Sequence, residues 1–229
     1  MTPALIQALR ELDGPTVSNA IEDFKVRDPV TGYANFELRC QFPDYKPMVG
    51  YAITATADTT TPGDKRPIKM GELLDVIEAA PKPAVLVFKH VGADRLKACF
   101  TGDMFCTSLS KMGVVGVVTD GANRDISGIR RRAPEFQIFS PGWVVSHGRV
   151  SYFDFNVDVS VCGLQIHPGD LLFGDENGLL QIPIDIADAV VKRAKETHIA
   201  ERAFFEFLDS NSYTFQELKD RLYAPSKER

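Results

Sequence analysis

Three charged side chains stand out by type and spacing: Asp103, twenty intervening residues, then Arg124 and Asp125 side by side. A guanidinium grips a carboxylate through two parallel N–H···O bonds, and a carboxylate oxygen suits a hard divalent ion. An adjacent Arg–Asp pair can therefore hold a carboxylate-bearing ligand and a metal ion together. Asp103 follows Gly102 where a helix is expected to begin, and there the free backbone N–H groups and the helix dipole favour anions. Each feature also has an ordinary reading: Asp103 as a stabiliser of its own helix, and Arg124 with Asp125 as a surface ion pair. The spacing favours chemistry. Twenty residues hold one helix, one strand and one turn, which returns the chain to the same rim of a sheet. Open α/β sheets bind ligands at that rim, beside helix N-termini.

The elements that would position these groups can be read from the pattern around them. Residues 104–112 predict a helix, Gly113 a stop, 114–119 a buried strand interrupted only by Gly116, and Asp120-Gly121 a turn into a short helix beginning near Arg124 or Asp125. The pair Gly113 and Gly116 precedes the strand instead of following it, so a dinucleotide-binding reading is weak. Upstream, Leu5, Ile6, Leu9 and Leu12 recur at helical spacing up to a break at Gly14-Pro15, and a second helix capped by Thr16 or Ser18 runs to Phe24. Residues 28–47 read as a surface excursion, 48–57 as a strand, 58–65 as a loop, 71–80 as an amphipathic helix and 84–89 as a buried strand. Downstream, 143–146 and 150–161 read as strands. Pro168-Gly169-Asp170 opens a hairpin with arms 171–174 and 179–182 joined through Asp175 to Gly178, and helices follow Pro183 to about Leu222. With no internal repeat and no linker, the pattern predicts an α/β sandwich in one domain over 1–229, with a helical C-terminal extension over about 185–229.

Composition narrows the partners. Twenty-six Lys and Arg against 31 Asp and Glu give a net charge of −5, which argues against nucleic acid or an anionic membrane as a partner. The one basic cluster, Arg130 to Arg132, would fan out around a helix as a solvated end. No window approaches about eighteen apolar residues, and Met1 to Arg10 carries no basic lead with an apolar run, so a soluble, cytoplasmic protein is expected. Cys40, Cys99, Cys106 and Cys162 lack zinc-site spacing and read as reduced, buried thiols. His90, His147, His167 and His198 are scattered and read as structural or exposed, and Trp143 as a core or subunit-contact residue.

The run GDMFCTSLSKMGVVGVVTDGANRD, Gly102 to Asp125, closely resembles the family that joins 4-hydroxy-4-methyl-2-oxoglutarate/4-carboxy-4-hydroxy-2-oxoadipate aldolases with the regulators of ribonuclease activity A. The family hallmark is an Asp, twenty residues, then Arg-Asp. Val49 to Thr54, Pro168-Gly169-Asp170, Asp175, Gly178 and Pro183 support the match, which covers roughly residues 14 to 195. The resemblance implies an αββα sandwich like the swivelling phosphohistidine-type domain, assembled as a homotrimer or a hexamer of paired trimers with the site at a subunit boundary. It implies a class II pyruvate aldolase site in which Asp125 holds Mg2+ or Mn2+. The carboxylate of a small oxo-acid substrate would bind Arg124 and the backbone around Gly102, Asp103, Met104 and Phe105, while Asp103 would orient or deprotonate a metal-held water. Such a metal is the sink for the electrons left on pyruvate by aldol cleavage, and it would equally serve oxaloacetate decarboxylation. One departure stands out: Asn19 occupies the place of an N-terminal-helix acid that aldolase members direct into a neighbouring site, with Glu22 and Asp23 nearby. The resemblance leaves two other readings open, a non-catalytic regulator that docks on a ribonuclease and a different metal-dependent lyase acting on a sugar acid.

Overall fold

A computed structural model of the protein describes residues 2–63, 66 and 68–223. Of the loop expected over 58–65, Asp64 and Lys65 lie outside the described residues. Helix α1 spans Pro3–Leu9, and α2 spans Gly14–Glu22. Gly14-Pro15 opens α2 instead of merely breaking the chain. Asp13 is its N-cap, accepting from Thr16 N at 2.9 Å, and Pro15 sits in the first turn, where its missing N–H is not needed. Thr16 and Ser18 therefore lie inside the helix, not at its cap.

The sheet is built from β1 (Arg39–Cys40), β2 (Met48–Asp58), β3 (Ala84–His90), β4 (Val114–Thr119), β6 (Gln137–Ser140), β8 (Ser151–Phe155), β11 (Leu171–Asp175) and β12 (Gly178–Ile182). Its order is β1-β6-β4-β3-β2-β11-β12, with β8 also on β2. The neighbours β2, β3, β4 and β6 run parallel. Helices α3 (Met70–Ala79), α4 (Asp103–Lys111) and α5 (Ile126–Arg132) cross between them. Two small ribbons stand apart, β5 (Ala122–Asn123) with β7 (Gly142–Trp143), and β9 (Val159–Val161) with β10 (Leu164–Ile166). The chain ends in α6 (Ala187–Leu208) and α7 (Phe215–Tyr223).

Several expectations are corrected here. β6 carries no apolar run because Gln137 and Ser140 are polar, yet both are buried and bonded: Gln137 Nε2 donates to Phe42 O and Lys46 O at 3.2 Å each, and Ser140 Oγ to Gly142 O at 3.2 Å. Of 143–146 only Trp143 is in a strand. The strand expected over 150–161 is cut by Asn156 at φ +51°, so its halves join different partners. In the last hairpin Asp175 pairs with Gly178, which leaves Glu176-Asn177 as the turn, and Asn177 N donates to Asp175 Oδ1 at 2.9 Å. Asp175 also accepts from Gly14 N at 2.7 Å and so ties the hairpin to the start of α2.

Packing shows that the sheet curls nearly shut. β6 and β11 lie four places apart in strand order, yet a Cβ on Gly174 would meet the Phe139 ring at 2.5 Å. Along β3, Val85 and Val87 face this interior with Phe139 and Leu172, while Leu86 and Phe88 face outward under α3, α4 and α5. Both faces are covered, which is why β3 is almost wholly apolar. Farther along the outside, Leu9, Val17, Ile21 and Val190 of α1, α2 and α6 cover Val49, Leu171 and Phe173. The architecture is a mixed α/β fold in which one curled sheet supplies both β layers. Among the described residues no helix is long and apolar enough to cross a membrane.

Candidate functional site

Beyond β3 and β4 the chain forms two extended segments that lie side by side. Cys99 bridges Ala122 in parallel, Ala122 N donates to Ala98 O at 2.8 Å, Phe100 N to Ala122 O at 3.1 Å and Arg124 N to Thr101 O at 3.0 Å. These bonds bring Gly102 alongside Arg124 and Asp125. The spacing seen in the sequence is thus a consequence of strand pairing, and it brings the first turn of α4 against the entry to α5.

Asp125 has left-handed backbone angles, φ +68° and ψ +44°, at the N-cap of α5, and its carboxylate makes no capping bond. Asp and Asn tolerate this region better than other side chains, but an Asp at an N-cap ordinarily accepts from the N2 or N3 N–H. Here Oδ2 is instead 3.4 Å from Asp103 N and 3.4 Å from Arg124 Nε. Gly102 makes that approach possible: a Cβ there would lie 2.5 Å from Asp125 Oδ2 and 3.2 Å from Arg124 Nε. Asp103 rests its carboxylate on α5, where a Cβ on Gly128 would lie 2.5 Å from its Oδ2. The segments below are joined by Thr101 Oγ1, which donates to Asn123 Oδ1 at 2.6 Å in full burial.

Asp103, Arg124 and Asp125 line one open cleft of about 610 Å³, with Ser127, Gly128, Arg131 and Trp143 among the other walls. The side chains of Arg124 and Asp125 keep 35% and 38% of their surface exposed, so both can reach a ligand from solvent. Met104 is 82% exposed and lines an adjoining hollow, and Phe105 packs against the core beneath α4. Any contribution of these two to the main cleft is through the backbone at the helix start. Among the described residues no group of three or more His, Cys, Asp or Glu side chains is placed to hold a metal. A metal here would take carboxylate oxygen from Asp125 and leave most of its shell to water and ligand oxygens. That donor set fits Mg2+ or a similar hard ion, which usually keeps several waters beside one or two carboxylates.

The remaining candidates lie outside the cleft. Burial pushes the thiols of Cys99 and Cys106 up to about 11 and about 12, so neither is a thiolate at neutral pH. His90 is buried between Asp58 and Asp120, and Asp120 accepts from His90 N at 2.9 Å and Lys89 Nζ at 2.6 Å. This network anchors the Asp120-Gly121 turn. Asn19 is exposed on α2, away from the cleft walls, and Asp23 is paired with Arg193 at 2.5 Å. Sequence reasoning passed over Ser127 and Gly128 and read Arg131 as part of a solvated helix end, whereas it lines the cleft. Their i, i+3 and i, i+4 spacing on a helix that starts at Asp125 is the signal that finds them. Trp143 reaches the cleft through a two-residue strand that carries no such signal.

Comparison with known proteins places these residues in context. The model of the RraA-like family, Aldolase/RraA, matches residues 14–180. A protein of Methanocaldococcus jannaschii, MJ0644, is 30% identical over 59% of this chain and 64% of its own length. A Halalkalibacterium halodurans protein provisionally named a 4-hydroxy-4-methyl-2-oxoglutarate aldolase is 28% identical over 65% of this chain and 69% of its own. Protein DlpA of Legionella pneumophila is 27% identical over 71% of this chain, a match that spans only 26% of the Legionella protein. In structure, a Pseudomonas syringae pv. tomato protein superposes with a TM-score of 0.74 at 23% identity over 97% of this chain and 95% of its own. RraAS2 of Streptomyces coelicolor, described as an unusual member of the RNase ES inhibitor RraA family, does so with 0.65 at 21% over 88% and 96%.

Proposed function

Because the chain belongs to the Aldolase/RraA family, we propose that it is a divalent-metal-dependent carbon–carbon lyase that cleaves short 4-hydroxy-2-oxo acids to pyruvate and also decarboxylates oxaloacetate. The observation that carries this reading is the convergence of Asp103, Arg124 and Asp125 on one open cleft, with the Asp125 carboxylate turned away from its own helix. Asp125 would hold Mg2+ or Mn2+, which when bound supplies the acceptor for the electron pair left on the 2-oxo acid as the C–C bond breaks. Arg124 and the N–H groups at the start of α4 bind the substrate's 2-oxo carboxylate. Asp103 takes the proton of the C4 hydroxyl, directly or through one water. Asn19 cannot relay a proton as a carboxylate does. Oxaloacetate loses CO2 without a hydroxyl base, so it is the less demanding substrate for this site. A homotrimer or a pair of trimers would close the open side of the cleft.

The test is release of pyruvate from 4-hydroxy-4-methyl-2-oxoglutarate and from oxaloacetate with Mg2+ or Mn2+ present. Turnover should vanish on chelation, return with either ion, and vanish in Asp125→Ala. Arg124→Ala should reduce kcat/KM by about 2 kcal/mol, the low end for breaking a charge pair, because the guanidinium stays partly in water. No pyruvate from either acid, with the protein folded, overturns the reading. Inhibition of a ribonuclease that survives both chelation and Asp125→Ala would point to the family's regulatory branch instead.

A further inference from the structure

Three consecutive arginines on α5 diverge by about 100° each, and their fates differ. Arg130 is committed to the fold: its two guanidinium nitrogens each donate to Asp44 at 2.7 Å, and it stacks on the Phe42 and Tyr45 rings. Arg131 has no hydrogen bond and no ion pair to any described residue, and it lines the main cleft with Arg124 as well as the adjoining hollow beside Asp103. It lies six residues beyond Asp125, about 9 Å along the helix axis, and helical side chains lean back toward the N-terminus. An unpaired cation thus lines the cleft that Asp103, Arg124 and Asp125 share, farther along α5 than Asp125.

We propose that Arg131 is a specificity residue that binds the second carboxylate of a dicarboxylic 2-oxo acid. This rests on the lyase reading above and narrows its substrate class. The charges agree: Arg124 and Arg131 balance Asp103 and Asp125 among the cleft walls, so a bound divalent ion leaves an excess of +2, which a dicarboxylic 2-oxo acid neutralises and pyruvate does not. A guanidinium is suited to the role because its planar fork meets a carboxylate with two parallel bonds. With no structural bond of its own to lose, Arg131 can be changed without loosening α5.

Trp143, the single tryptophan of the chain, lines the same cleft and reports binding by its fluorescence without turnover. Titrations with Mg2+ present should show 2-oxoglutarate, which carries two carboxylates and no 4-hydroxyl, binding at least tenfold tighter than pyruvate. Arg131→Gln should erase that preference and leave pyruvate affinity within twofold. Arg131→Lys should restore part of it, and Lys192→Gln, on α6 and outside both hollows, should change neither. In turnover, Arg131→Gln should raise KM for oxaloacetate with little change in kcat, the mark of uniform binding. The proposal is overturned if Arg131→Gln keeps the preference or weakens both acids alike. It also falls, with the lyase reading intact, if the wild type binds pyruvate as well as 2-oxoglutarate. Binding of neither acid removes both readings.

Discussion

At Asp125 one residue meets two demands, a left-handed backbone that starts α5 and a carboxylate turned toward Gly102 and Arg124. Asp58 shows the opposite use of a carboxylate, purely structural. Its side chain is 1% exposed; burial raises its pKa, but bonds from Thr61, Thr60 and Arg66 outweigh burial and hold it below the ordinary 3.8. A folded-state value below the unfolded one means that the stabilisation is present above 3.8 and fades as pH falls through the folded-state value. Asp58→Asn should therefore lower stability by about 1–3 kcal/mol at neutral pH, and the gap to wild type should close in acid below 3.8. Urea denaturation of both proteins across that range checks this. A gap that persists unchanged into strong acid would show that the bonds do not depend on the charge.

At the scale of elements, α4 and α5 meet through two glycines, Gly102 and Gly128, each leaving room for the other helix's aspartate. Ordinarily Gly→Ala inside a helix stabilises by about 1 kcal/mol. Gly128→Ala should forfeit that gain, because its Cβ would lie 2.5 Å from Asp103 Oδ2 and 2.7 Å from Asp103 Cβ, so that α4 itself must shift against α5. Misplacement of a catalytic group by about 1 Å can cost on the order of 10²-fold, so turnover should fall by about that factor, with a lowered melting temperature in a protein that still folds. Full activity in this variant would remove Asp103 from the catalytic set.

For the whole molecule, closure of the sheet is what turns the strand ends into one rim. Phe139 fills the interior between β6 and Gly174 of β11, and it is fully buried. Phe139→Ala should cost about 3–5 kcal/mol, measured by urea denaturation, because the curled sheet cannot collapse into the space. A loss below about 1 kcal/mol would mean that the interior is not sealed as described. The distal half of α6 and α7 extend past this core, leaving Ile199, Phe205 and Phe215 exposed.

The unit from Asp103 to Asp125 could be read from sequence because everything that positions it is local. One helix, a glycine stop at φ +79°, one strand and one turn add up to the register that pairs Cys99 with Ala122. What depended on distant partners could not be read. Asp44 takes Arg130 out of the cleft and leaves Arg131 in it; Phe42 O and Lys46 O make a strand of the polar Gln137; and Asp175 finds Gly14 across 161 residues. Periodicity records which face of an element is apolar. It does not record which surface arrives to cover that face, and that arrival, set by the curl of the sheet, decides which charged side chains stay free to bind a ligand.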